Sequence, residues 1–376
     1  MIDTGGMIML DIESKVRENF AVLQQMPELG FEERQTSAYL AAELLQAGYQ
    51  LTTQIGGTGI IGMLAGPEAG PVVAVRADLD ALAHNVDGQK IAIHSCGHDA
   101  NSAMVLTMAQ AIAATGIAKG KLKLLFQPAE ETLFGAQTMI RAGAIDDADI
   151  LLGIHLRPVE EARLGQATPA LYHGASAIIE AEISGVAAHG ARPHLGINVI
   201  DAAAAVVHAV NAIHVNPVVP ASVKVTKLHA GGPALNAVPD RAELALDLRA
   251  QRNDVMTELT GKTSQAVIGA AAAIGATASV RIKGSVPAAE YDTALTELAQ
   301  AAIREVLGQP GVLPPIHTPG GEDFHFYKQA KPALRTCYIG LGADLTPGLH
   351  HPEMKFDKAA LAQGTRILVS LINRLL

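Results

Sequence analysis

Apolar residues along the chain recur with two periods, one near that of a helix and one near that of a strand, and windows of the two kinds alternate. This is the pattern of an α/β protein. The stretch TSAYLAAELLQAGYQ predicts a helix, with Thr36 or Ser37 as its cap, Leu40, Leu44 and Leu45 as its inner face and Gly48 as its stop. Three runs, PVVAVRADLD (71–80), KLKLLFQPAEE (121–131) and ADILLGIHLRP (148–158), are almost continuously apolar until they end in polar residues. Runs of that kind are buried parallel strands, and a helix over 101–115 serves as one crossover. Ligands of open α/β sheets bind outside the carboxyl ends of the strands. The chemistry-bearing residues of all three runs lie at that end: Arg76, Asp78 and Asp80, then Glu130 and Glu131, then His155.

From about residue 174 the texture changes. SAIIEAEISG alternates apolar and polar residues, a helix-like segment covers 197–214, and alternating strands return at 222–229 and 242–250. A further helix and strand run to about 284, completing a self-contained α+β unit. The α/β texture then resumes, with a helix near 290–307, a strand near 334–340 and an amphipathic helix from 357. The expected fold is therefore a discontinuous α/β domain, 1–173 with 287–376, in which a mostly parallel central sheet is flanked by helices. An α+β domain over 174–286 is inserted into it.

Composition narrows the function. Half of the residues are apolar and 17% are charged, which suits a globular protein with a large core. The net charge of −9 and the lack of any Lys/Arg run make nucleic acid and anionic membranes unsuitable partners. Two cysteines cannot form a disulfide framework, so a reducing compartment is expected. No stretch reaches the roughly 18 apolar residues of a membrane span, and the first residues lack a basic region followed by an apolar core. A cytoplasmic location is the expectation.

The chemistry is concentrated in a few places. IAIHSCGHDANSAM sets Cys96 and His98 two positions apart among polar neighbours. Alone, Cys96 would read as a small buried apolar residue. With Glu131, His155 and a histidine of GLHHPEMKFD it completes a set of Cys, His and Glu side chains, the ligands of Zn²⁺ and similar ions. Five ligands suit two ions about 3.5–4 Å apart, with one ligand bridging. The pair Glu130–Glu131 fits a division of labour in which one carboxylate ligates and the other takes a proton from the attacking water.

The stretches RADLDAL, HSCGHDA, LLFQPAEE, GAQTMIRAG, LGIHLRP, GVAAHGARPHLGIN, GGPALNAVPDRAELALDLRA, GGEDF and LHHPEMKFD occur in this order across nearly the whole chain. Together they resemble the aminoacylase/carboxypeptidase family of metal-dependent amidohydrolases, which includes hippurate hydrolases, N-acyl-amino-acid deacylases and auxin-conjugate hydrolases. The resemblance implies that Cys96, His98, Glu131, His155 and His350 bind two divalent ions, with Cys96 bridging. His350 is preferred to His351 because Pro352 follows it at the family's offset. Zn²⁺ or Mn²⁺, with Co²⁺ or Ni²⁺ as substitutes, would be the ions. Glu130 would be the general base, and Asp78 would orient a ligand histidine. The inserted domain would be a lid and dimerisation domain. Its His189 would steady the oxyanion, often from the partner subunit, and its Asn236 and Arg249 would lie near the substrate carboxylate, for which an Arg fork is suited. The activity implied is hydrolysis of an N-acyl amino acid or a small dipeptide-like amide by a homodimer.

Several positions depart from the family pattern. LQQMPE stands where the family has a histidine after the leucine, Asn101 stands where a histidine often follows CGHD, and LAHNVDGQ replaces the usual continuation after RADLDAL. The last segment borders the acyl side of the pocket, so it bears on the acyl group accepted; His84 within it reads as a surface position. Two other functions fit parts of the pattern. A cysteine hydrolase using Cys96 and His98 leaves Glu130, Glu131 and LHHPEMKF unexplained, and residues two apart seldom face each other as nucleophile and base. A non-catalytic homologue that binds acyl amino acids would be marked by loss of the base or of a ligand, and neither is lost.

Overall fold

A computed structural model describes residues 10–376. The chain divides into two compact units. One runs up to Tyr172 and resumes over Glu290–Ile316 and Asp323–Leu376; the other comprises His173–Ala289 and His317–Glu322.

The first unit is built on a seven-stranded sheet in the order Gln50–Ile55, Gly59–Ala65, Lys119–Gln127, Glu68–Asp78, Ile150–Pro158, Arg335–Leu345 and Ala167–Thr168. The four strands Lys119–Gln127, Glu68–Asp78, Ile150–Pro158 and Arg335–Leu345 pair in parallel, while both outer sides pair antiparallel. The expected mostly parallel sheet is thus a mixed one. The reason is local: Gln50–Ile55 and Gly59–Ala65 form a hairpin, and a hairpin can only be antiparallel. The apolar runs are the parallel strands, buried almost throughout. Helices Ile12–Leu23, His98–Thr115, Thr293–Leu307 and Ala359–Leu375 share with them one core that includes Phe20, Met104, Leu152, Ile303, Ile339 and Leu368.

Two details of this unit matter for the chemistry. The helix expected from 101 starts at His98, because Gly97 takes a left-handed conformation (φ 88°) at its N-cap. A side chain there would be strained and would press on Leu156. His98 and Asp99 therefore occupy the first helical turn and are buried. The helix expected from Thr36 or Ser37 begins at Arg34 and is capped from a distance: the Glu28 carboxylate accepts the N–H groups of Gln35 and Thr36.

The second unit is a four-stranded antiparallel sheet, Ala221–Ala230, Arg241–Ala250, Ala175–Ser184 and Thr277–Val286, with helices Val199–Asn211 and Asn253–Ala273 packed on it. Its core is separate, around Ile179, Val206, Leu246 and Val267. A short ladder pairs His189 with Ala237 beside it. Among the described residues no helix is long and apolar enough to cross a membrane.

Candidate metal centre

The carboxyl ends of the parallel strands carry the candidate ligands. His155 is in the last part of Ile150–Pro158, and Cys96 and His98 enter from the loop and first turn of His98–Thr115. Glu130 and Glu131 were expected at a strand end, but the strand closes at Gln127 and the pair sits on a single 3₁₀ turn, Glu130–Thr132. Ala129 (φ 54°) and Leu133 (φ 63°) bracket that turn in left-handed conformations, which L-residues seldom adopt. The turn is held from outside. Glu33 accepts the Ala129 N–H at 2.8 Å, and Asp80 Oδ2 accepts the Glu131 N–H at 3.0 Å.

The five expected ligands are brought together. Cys96, His98 and His155 present ligand atoms within 4.8 Å of one another, and so do Cys96, Glu131 and His350. Cys96 belongs to both sets, as a bridging ligand must. Of the two adjacent histidines, His350 is the one at the centre, its Nε2 lying 3.3 Å from Glu131 Oε1. His351 instead accepts the Glu353 N–H on Nδ1, in a local turn.

Each of the two buried histidines is held in one tautomer. The Nδ1–H of His98 donates to the Asp80 carbonyl (3.0 Å) and lies 3.2 Å from Asp80 Oδ1. That of His155 donates to the Leu156 carbonyl at 2.8 Å. Both Nε2 lone pairs therefore face the centre, with His155 Nε2 at 3.6 Å from Cys96 Sγ. His98 Nε2 and Glu131 Oε1 are buried, the first facing Cys96 and Glu130 and the second lying against His350 Nε2. A buried imidazole nitrogen and a buried carboxylate oxygen gathered beside a thiol are a donor set that suits a divalent cation. Burial pushes the Cys96 thiol far up from its ordinary range, with only His98 pulling against it. That argues against Cys96 as a free nucleophile, since its thiolate needs an added positive charge nearby.

Glu130 is placed differently from Glu131. Its Oε1 accepts the Asp323 N–H at 3.4 Å, while Oε2 lies 4.0 Å from His98 Nε2. Behind it is a buried ionic cluster. Arg76, 1% exposed, bonds Asp78 and Asp323 at 2.5 Å each and Gln127 at 3.0 Å. Asp323 also receives the Gln127 amide and the Ala136 N–H.

Residues two apart on a strand share a face, so Asp78 lies beside Arg76, while the carboxylate hydrogen-bonded to His98 is that of Asp80, just past the strand end. Asp80, Ser95 and Asp323 were given no role from the sequence, although all three lie within the motifs RADLDAL, HSCGHDA and GGEDF; only a tertiary fold shows what they touch.

On the second unit, His189 and Asn236 are neighbours. The Asn236 carbonyl accepts the Gly190 N–H, and the Ala191 N–H donates to His189 Nδ1 at 3.0 Å. With Nδ1 an acceptor, the neutral His189 ring carries its proton on Nε2, and the residue is exposed. Arg249, expected to receive a carboxylate of the substrate, is engaged in a bidentate pair with Asp247 at 2.8 and 2.9 Å.

Compared with known proteins, the chain is 31% identical over 366 residues to the N-acetyl-L-cysteine deacetylase of Bacillus subtilis, spanning 94% of this chain and 86% of that one. It is 27% identical to the hippurate hydrolase of Campylobacter jejuni, over 96% and 97% of the two chains. The crystal structure of the Bacillus subtilis YXEP protein, described as a dinuclear metal-binding peptidase of the M20 family, superposes with a TM-score of 0.82 at 25% identity, over 97% and 98% of the two chains. The model of peptidase family M20/M25/M40 matches residues 74–374. That span runs from the strand before Asp78 into the last helix and takes in every candidate ligand: the chain belongs to peptidase family M20/M25/M40.

Proposed function

We propose that this amidohydrolase cleaves the amide bond of an N-acyl amino acid or a small dipeptide-like substrate, using two divalent ions per chain, Zn²⁺ or Mn²⁺ in the first instance. The observation that carries the reading is the pair of ligand sets that share Cys96, with Glu130 placed beside them but anchored elsewhere. The names of the relatives, a deacetylase and a hippurate hydrolase, support the same reading of the substrate class.

When bound, the ions would polarise the scissile carbonyl and lower the pKa of an attacking water. Cys96, His98 and His155 would hold one ion, and Cys96, Glu131 and His350 the other. Glu130 takes the proton of the water on Oε2, the oxygen that faces His98, and returns it to the leaving amine. Its Oε1 stays on the Asp323 N–H. His189, with its proton on Nε2, donates to the developing oxyanion. Asn236 and Arg249 bind the α-carboxylate, and for Arg249 this requires exchanging Asp247 for the substrate. The second unit serves as lid and dimerisation domain, and the protein works in the cytoplasm as a homodimer.

The test is elemental analysis of the purified protein together with hydrolysis of N-acetyl and N-benzoyl amino acids, with and without chelator and added Mn²⁺, Co²⁺ or Zn²⁺. Near two ions per chain and chelator-sensitive cleavage are expected. Metal-independent cleavage would overturn the mechanism, and full loading with binding but no cleavage of any substrate would make this a binding protein.

A further inference from the structure

Of the five ligands, His350 is the least enclosed: its side chain is 55% exposed, whereas Cys96, His98 and His155 are buried. It sits on no helix or strand and takes a left-handed backbone conformation (φ 65°). Its backbone is fixed by its N–H, which donates to the Ser95 carbonyl at 2.6 Å. Ser95 is fully buried and directly precedes Cys96, so this one bond joins the loop of His350 to the loop of the bridging ligand.

Ser95 is itself held at two points. Its N–H donates to the Ile93 carbonyl at 2.9 Å, and its Oγ is hydrogen-bonded to His84 Nε2 at 2.8 Å. His84 lies on a hairpin, Leu82–Val86 with Gln89–Ile93, that was not among the expected elements. The hairpin turns through Asp87 and Gly88, both at positive φ, and most of its residues are exposed. It folds back so that His84, opposite Ile91, reaches the loop that follows its own second strand. His84 is therefore not the surface position that its sequence context suggested.

We propose that His84 is a positioning residue for the second ion: through Ser95 it fixes the carbonyl that holds His350 at the ligand set Cys96–Glu131–His350. The inference rests on the two-ion reading above. The set Cys96–His98–His155 leans on this relay less, because it shares only Cys96 with the other set, while His98 is fixed by Asp80 and His155 by the Leu156 carbonyl. Loss of His84 should therefore act mainly on one ion. Partners behind metal ligands commonly set affinity within a factor of about 10–100.

The experiment is calorimetric titration of the chelator-stripped full-length protein with Co²⁺, read together with the Co²⁺ absorption spectrum. Wild type should bind two ions; fewer would sink the two-ion reading itself, separately from this proposal. His84→Ala should weaken one ion about tenfold and leave the other within about twofold, and Ser95→Ala should do the same. The double variant should be no worse than either single one, because both remove the same link. His84→Gln, which restores a polar reach to Ser95, should recover part of the loss and serves if His84→Ala does not fold. Two ions bound with unchanged affinity in His84→Ala, equal weakening of both, or additive losses in the double variant would each overturn the proposal.

Discussion

Asp80 and His98 are joined twice, the imidazole Nδ1–H reaching both the carbonyl oxygen and Oδ1 of the aspartate. The other carboxylate oxygen of Asp80 takes the N–H of Glu131. One side chain thus sets the tautomer of one ligand and the backbone of another. Asp80→Ala should weaken metal binding about 10–100-fold and should affect both ions, unlike His84→Ala. Equilibrium dialysis against Zn²⁺ would show it; unchanged affinity would mean that the Asp80 carbonyl alone is sufficient to orient His98.

Glu130→Gln removes the proton acceptor and leaves the Asp323 N–H an oxygen to donate to. Metal content should stay near wild type while kcat falls by about 10²–10⁴. Elemental analysis and steady-state kinetics on the same preparation check this. Normal kcat in a metal-loaded Glu130→Gln enzyme would remove Glu130 from the proposed chemistry.

Cys96→Ala takes the shared atom from both ligand sets, so content should fall to one ion per chain or fewer, with activity lost alongside it. A variant that still binds two ions would exclude the bridging role.

Arg76 stands between two buried carboxylates. Arg76→Met leaves both of them without their cation, and breaking a buried pair in this way costs roughly 3–5 kcal/mol. Urea denaturation should show that loss. Because Asp323 also carries the N–H that anchors Glu130, kcat should fall in the folded fraction while metal content holds.

Glu33, buried and holding Ala129, has its carboxyl pKa raised by desolvation, with the hydrogen bonds from Thr58 and Ala129 only partly offsetting this. The folded state then binds this proton more tightly than the unfolded chain does. Stability should therefore decline as pH rises from the ordinary carboxylate value through the raised one. Glu33→Gln should lack that part of the slope, so denaturation midpoints from about pH 4 to 7 should diverge from wild type toward the upper end. Parallel pH profiles would show that Glu33 titrates alike in both states.

Much of the centre was legible in the sequence because ligand chemistry is carried by residue type and spacing. Cys96, His98, Glu131, His155 and His350, far apart in the chain, lie together in the fold. The parallel strands were legible because full burial demands unbroken apolar runs. What could not be read was support arriving from elsewhere in the chain. The Glu28 cap, the Glu33 bond to Ala129 and the Asp80 bond to His98 all join residues on different elements. Asp78 and Asp80 are two positions apart and would share a face on a continuous strand, but the strand ends at Asp78 and it is Asp80, past that end, that bonds His98. The hairpin of His84 was missed because its strands are short, exposed and only weakly alternating.

In the turn that carries Glu130 and Glu131, Ala129 and Leu133 hold conformations that their own side chains disfavour, so the turn's own bonds, Leu133 N–H to the Glu130 carbonyl and Thr132 Oγ1 to the Ala129 carbonyl, work against backbone strain. Glu33, from ahead of one helix, and Asp80, from past a strand, add bonds from distant parts of the chain, so the spacing of the two carboxylates is a property of the assembled sheet and not of the five residues that carry them.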